Sequence, residues 1–124
     1  MAQIMMTKPI IKALSKTPYN STDGVPRDNK KVIARYFLPG SACTWYVLED
    51  DDCFQDKENL ILKPNHKIVY GAATLGYGLE LGSIDLDEVF AAKVLFCHTE
   101  RDISVVPLKE TLGELRKRYC EEWG

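Results

Sequence analysis

Long apolar runs, closely spaced cysteines and a large excess of one charge are all missing from this sequence of 124 residues. The longest apolar runs are far shorter than the roughly 20 residues of a transmembrane helix, so no membrane-spanning helix is expected. The four cysteines stand far apart, and without a C-x-x-C pair neither a zinc knuckle nor a thioredoxin-type site is supported. Residues 1–8 lack the basic start and continuous apolar core of a signal peptide, which predicts a cytoplasmic protein with reduced thiols.

The composition is that of a soluble globular domain, with 45% hydrophobic and 27% charged residues. Its length suits one domain and is too short for two ordinary ones. The formal net charge of −2 argues against a protein whose main task is to grip phosphates. Residues 1–48, however, carry seven basic and two acidic side chains, a net +5, and residues 49–88 carry ten acidic side chains and three lysines, a net −7. The basic segment either forms a local patch or is simply a solvated surface.

Four segments have the β-branched and aromatic composition of strands: 31–38, 43–48, 66–73 and 79–84. Pro39-Gly40 has the signature of a type II turn, so the first two strands are expected to form an antiparallel hairpin. Alternation then divides the second strand into two faces, Trp45 and Val47 against Thr44, Tyr46 and Leu48.

Thr7 has the position of an N-cap for a short helix that ends at Pro18, and a long polar loop follows over residues 17–29. Asp85 and Thr111 each open a capping-box pattern, which predicts two further helices. Two short extended segments are expected between these helices, at 94–97 and 103–106.

Together these elements predict an α+β fold, a mainly antiparallel sheet of four or five strands with two or three short helices. We expect a single domain over residues 1–124. Within it, the helix and polar loop of residues 1–30 are expected to be peripheral, and residues 31–124 to form the core. Phe37 and Trp45 are the expected members of that core.

Three stretches stand out together: Tyr36–Ser41 followed by Thr44–Tyr46, then Leu79–Glu88, then Glu100–Asp102. With these stretches in this order, the chain resembles a small bacterial family known as domain-of-unknown-function family 2958. The resemblance covers most of residues 31–115. Members of that family resemble cargo of plasmids, integrative elements and phages, and they have no agreed activity or catalytic residues. The resemblance implies a genomic setting rather than a reaction. That setting favours proteins that help an element to enter or persist in a host, including inhibitors of host defence.

An acidic run is the strongest local charge feature. Its members are Glu49, Asp50, Asp51, Asp52, Asp56 and Glu58. These carboxylates form either a solvated exit from the hairpin, a binding surface for a basic partner, or ligands for a divalent cation. The run does not fit the EF-hand pattern, because Phe54 and Gln55 occupy positions that require Asn or Asp and Gly.

A second candidate is the triplet Glu100, Arg101 and Asp102. Arg101 either binds a carboxylate or phosphate of a ligand or pairs with an acid across the sheet and fixes a turn.

Cys97 and His98 are a nucleophile and a base by residue type. Because neighbours in a strand point to opposite faces, we do not expect these two to touch.

The leading hypothesis from the sequence is a small non-enzymatic binding protein of a phage or mobile element. It would act in the cytoplasm by docking on a host protein or protein complex, such as a defence system that it inhibits, without cofactor, metal or membrane. The alternative is a nucleic-acid-associated accessory protein that uses Lys12, Lys16, Arg27, Lys30 and Lys31 with nearby aromatic side chains. The third hypothesis is a small enzyme that uses Cys97 or the carboxylates of residues 50–52.

Overall fold

A computed structural model describes residues 5–17, 24–50, 68–75, 78–103 and 106–119. Within them, five strands form one antiparallel sheet in the order β4-β3-β2-β1-β7, and β5 and β6 form a separate two-stranded hairpin. In chain order the helices and strands are α1 (Lys8–Lys16), β1 (Ala34–Phe37), β2 (Thr44–Asp50), β3 (Ile68–Thr74), β4 (Glu80–Asp85), α2 (Leu86–Ala91), β5 (Lys93–Val94), β6 (Cys97–His98), β7 (Glu100–Arg101) and α3 (Leu112–Arg118). A 3₁₀ turn at Arg27–Asn29 precedes β1. The α+β class and the mainly antiparallel sheet are confirmed.

The helix starts are set by the predicted caps. The Thr7 hydroxyl accepts from the Ile10 N–H at 3.4 Å, and the Asp85 carboxylate accepts from the Asp87 N–H at 2.9 Å. At Thr111 a complete capping box forms, because the Glu114 side chain also accepts from the Thr111 N–H. Each cap satisfies a backbone donor that the first turn of a helix leaves without a partner.

The N-terminal helix belongs to the core, contrary to the expectation that residues 1–30 are peripheral. Ile10 and Leu14 in α1 are 1% and 0% exposed, and both pack with Tyr36 and Val47 beneath the sheet. Their spacing of four residues places them on one helix face, so α1 buries an apolar stripe while its lysines face outward.

Both faces of the sheet are covered, and the alternation predicted for β2 is confirmed. Trp45 and Val47 pack on the side of α1 and α2, whereas Tyr46 and Leu48 pack on the side of α3. The Pro39-Gly40 turn joins β1 to β2 in antiparallel register, with Gly40 at a φ of +82° as a type II turn requires.

The buried aromatic side chains are not the ones expected. Tyr36 and Tyr46 are 0% and 2% exposed, whereas Phe37 and Trp45 are only half-buried. The hydroxyl of Tyr36 donates to the Met5 carbonyl at 2.6 Å, and that of Tyr46 lies 2.8 Å from the Tyr119 hydroxyl. These partners allow the polar end of each ring to be buried. Burial raises the pKa of Tyr46 to about 12, with the Tyr119 hydrogen bond acting in the same direction.

A bulge in β2 coincides with a glycine in β3. The register between the two strands shifts between Val47 and Glu49, so Leu48 is an extra residue on β2. Opposite this bulge, Gly71 is so close to the Tyr46 carbonyl that any Cβ would overlap its oxygen. Glycine is therefore required at position 71, beside the bulge.

The segment after α2 differs from the sequence-based expectation. Residues 94–97, expected to be one extended segment, instead turn at Leu95 and Phe96 to form the β5–β6 hairpin. At 103–106, the described residues Ile103 and Val106 lie outside strands, and 104–105 are outside the described residues. The strand in this region is β7, which pairs with β1. Two-residue strands are too short to produce a recognisable alternation in sequence.

No helix in the described parts of the chain is both long and apolar enough to cross a membrane.

Candidate binding surfaces

The first two residues of the acidic run belong to β2 and are buried. Glu49 and Asp50 are 5% and 2% exposed, and the Asp50 N–H donates to the Thr17 carbonyl at 2.9 Å. For these two residues the structure does not support a solvated exit loop or an exposed docking surface. The described residues contain no cluster of three or more potential metal ligands. The other members, Asp51, Asp52, Asp56 and Glu58, lie outside the described residues, and their role in binding stays a prediction.

The triplet after β6 attaches β7 to the edge of the sheet. Asp102 donates its N–H to the Arg35 carbonyl at 2.9 Å, and its carboxylate lies 3.4 Å from the Arg35 Nε as an ion pair. The Arg35 guanidinium also stacks over the Phe37 ring at 4.7 Å. Glu100 is exposed, and Arg101 is half-buried and reaches the Asp102 carbonyl at 3.4 Å. Asp102 therefore forms an ion pair with Arg35 of β1, and the two roles proposed for Arg101 stay predictions.

Cys97 and His98 are paired with different residues across the β5–β6 hairpin, Cys97 with Val94 and His98 with Lys93. Cys97 is half-buried, and its Sγ would lie 3.5 Å from a Cβ on Gly40, so it packs against the β1–β2 turn. His98 is exposed. This placement fits the expectation that the thiol and the imidazole face opposite ways. The contact of Cys97 with the β1–β2 turn also attaches the hairpin to the sheet.

The basic residues of the N-terminal segment converge on one groove. Lys12, Lys16, Lys30 and Lys31 all line it, together with Lys8. Four of the five basic residues proposed from the sequence are thus brought together. The side chain of the fifth, Arg27, lies outside the described residues. The residue that the sequence argument missed is Lys8, which the four-residue spacing with Lys12 could have revealed.

Two walls and a floor make up this lysine-rimmed groove. One wall is the outer face of α1, which Ile10 and Leu14 fix to the core. The other wall follows the 3₁₀ turn. Here the backbone carbonyl of Lys30 accepts from the Leu112 N–H at 2.8 Å, and Asp28 forms a two-point salt bridge with Arg116, the shorter contact being 2.6 Å. Both walls are therefore held by the core and by α3.

The interior of the groove is apolar. Its volume is about 780 Å³, within the range of ligand-binding clefts. The apolar residues that line it are Pro9, Ala13, Val25, Ile33, Leu48, Val106 and Pro107. None of the described lining residues is acidic or aromatic. The groove therefore combines an apolar floor with a rim of one charge sign.

The β5–β6 hairpin forms a second exposed feature that sequence reasoning did not find. Leu95 and Phe96 at its turn are 90% and 96% exposed. Leu95 has a φ of +54°, in the left-handed region that favours glycine or asparagine. The turn had no Asn-Gly or Asp-Gly signal, so nothing local indicated it.

Comparison with known proteins provides no relative for this chain. No family model, no curated protein and no solved structure matches it. The resemblance to domain-of-unknown-function family 2958 stays a prediction.

Proposed function

We propose that this chain is a non-enzymatic binding protein that docks on a partner protein through the β5–β6 hairpin. The observation that carries the proposal is the exposure of Leu95 and Phe96, at 90% and 96%. Burying a leucine or phenylalanine side chain contributes roughly 1.5–3 kcal/mol each, so the tip holds a large unused driving force for association. Aromatic residues, phenylalanine among them, are enriched in protein interfaces relative to the rest of the surface.

The backbone of the hairpin supports the same proposal. A non-glycine residue in the left-handed region costs roughly 1–2 kcal/mol, and Leu95 adopts it while gaining almost no burial. Around the tip, Lys93, His98 and Glu100 are exposed and carry ionisable groups of both signs. A mixed polar rim around an apolar anchor is typical of protein interfaces, whereas an anionic membrane favours a uniformly basic surface.

The identity of the partner comes from the resemblance alone. We propose a host protein or protein complex in the cytoplasm, with this chain acting for a phage or mobile element. The specific role that we propose is inhibition of a defence system of the host.

The test is a tagged pull-down from host extract with Phe96→Ser, and with Leu75→Ser as the matched control. Leu75 is 64% exposed at the end of β3, so its replacement removes a comparable apolar side chain elsewhere. We expect wild type and Leu75→Ser to retain the same stoichiometric partner, and Phe96→Ser to bind it at least tenfold more weakly with an unchanged melting temperature. Equal capture of the partner by Phe96→Ser and Leu75→Ser would show that the hairpin is not part of the interface.

A nucleic-acid-associated function is the second candidate, because four of the five basic residues proposed for it share one groove. The absence of aromatic side chains among the described lining residues counts against stacking of bases there. Nuclease treatment of the same extract separates the two functions. Loss of the captured material after nuclease, with a steep salt dependence of binding, would favour nucleic acid.

A further inference from the structure

We infer that the lysine-rimmed groove binds an acidic, amphipathic segment of a partner protein, with an apolar stripe in the floor and carboxylates against both walls. This site is separate from the hairpin tip and uses different residues. Three features support this inference: the arrangement of the lysines, the apolar floor between them, and the absence of acidic side chains among the described lining residues.

The lysines of α1 form a straight row. Lys8, Lys12 and Lys16 repeat every four residues, which places them about 6 Å apart along one helix face. Like charges at this spacing destabilise a helix, and the first turn of α1 contains no acidic residue to compensate. Within the described part of the chain, none of these three lysines forms a salt bridge. A row of anions on a ligand would remove this repulsion.

The opposite wall repeats the charge. Lys30 and Lys31 line the groove on the side of the 3₁₀ turn, and the exposed residues Val25 and Pro107 contribute apolar surface to its lining. A complementary ligand therefore needs anions on two sides of an apolar surface. An amphipathic helix with carboxylates flanking its apolar stripe has this pattern, and helix-in-groove binding is a common mode of peptide recognition.

Other ligand classes match fewer of these features. A fatty acid has one carboxylate and would leave most of the lysine rim without a counter-charge. Single-stranded nucleic acid supplies enough charge, but its bases bind by stacking on aromatic side chains, and the described lining residues include none.

The probe for the test is a fluorescent peptide of about 14 residues, with leucine at helical spacings of three and four and glutamate at the flanking positions. Binding to the full chain is followed by fluorescence anisotropy. The protein variant is the double charge reversal Lys12→Glu and Lys31→Glu, one change on each wall. The matched control is Lys109→Glu and Lys117→Glu, two exposed lysines outside both the groove and the hairpin.

We expect the groove variant to bind the peptide at least tenfold more weakly and the control variant to bind within twofold of wild type. Phe96→Ser should also bind like wild type, which separates this site from the hairpin. A peptide with leucine replaced by glutamine should bind at least tenfold more weakly to the unaltered protein, a measurement that no folding defect can affect.

Three results would overturn the inference. Equal binding by the groove and control variants would remove the lysine walls from the site. Tighter binding of a single-stranded oligonucleotide than of the peptide would assign the groove to nucleic acid. Peptide binding that appears only after Asp51→Asn and Asp52→Asn would assign it to the acidic segment of this chain itself.

Discussion

Two glycines that are paired on adjacent strands provide a controlled test of the geometry of the sheet. Gly71 in β3 and Gly82 in β4 are paired residues. A Cβ on Gly71 would overlap the carbonyl oxygen of Tyr46 and lie 3.2 Å from the Cδ1 of Ile84, whereas a Cβ on Gly82 has no heavy atom within 4 Å. The same one-carbon substitution therefore has opposite consequences on neighbouring strands.

The expected loss of unfolding free energy for Gly71→Ala follows from the backbone atoms that must move. Alanine at position 71 forces β2 and β3 apart beside the bulge, and the hydrogen bonds of the ladder there contribute about 1 kcal/mol each. Backbone groups left buried without a partner cost a further 1–3 kcal/mol or so each. We therefore expect Gly71→Ala to lower the free energy of unfolding by about 3 kcal/mol or more. Gly82→Ala should leave it unchanged or raise it by roughly 0.5–1 kcal/mol, because glycine weakens a strand.

Urea unfolding measures both effects. With a denaturant slope of about 2 kcal/mol/M, a loss of 3 kcal/mol lowers the midpoint for Gly71→Ala by about 1.5 M. A difference between the two variants of less than about 1 kcal/mol would refute the close approach of Tyr46 to Gly71.

Two further predictions concern the N-terminal helix and the buried tyrosines. Leu14→Ala should lower the free energy of unfolding by about 3 kcal/mol, because Leu14 is 0% exposed. Ile11 on the same helix is 38% exposed, so Ile11→Ala should lower it by less than about 1 kcal/mol in the same urea experiment. Equally small losses for both variants would mean that α1 is peripheral. The pKa of Tyr46 is raised to about 12, so its contribution to stability is complete below pH 10, the ordinary tyrosine value, and is lost as the pH rises to about 12. Tyr46→Phe should flatten the fall in unfolding free energy between pH 10 and 12, and an unchanged slope would contradict the assignment.

The parts of the fold that were predictable depend on local signals. Thr7 and Thr111 cap helices with side chains that bond to the next turn, and Gly40 provides a positive φ inside one turn. The alternation along β2 is equally local, because the pleat itself sends Trp45 and Tyr46 to opposite faces. Each of these features involves residues only a few positions apart.

The parts that were not predictable depend on distant partners. Burial of Tyr36 requires a partner for its hydroxyl, and that partner is the Met5 carbonyl, 31 positions earlier in the chain. Glu49 and Asp50 have the composition of a solvated loop, but the bulge extends β2 through them. The lysine-rimmed groove shows both cases, since the helical spacing of its first wall is visible in the sequence and its meeting with Lys31 is not.

Both walls of the groove come from the first 31 residues of the chain, with α1 on one side and the 3₁₀ turn, Lys30 and Lys31 on the other. The site therefore exists only while α1 remains attached to the sheet. By thermodynamic linkage, any ligand that spans both walls makes detachment of α1 rarer, in proportion to its occupancy. Slower hydrogen exchange of the α1 amides would then report that a ligand is bound, without any knowledge of what the ligand is.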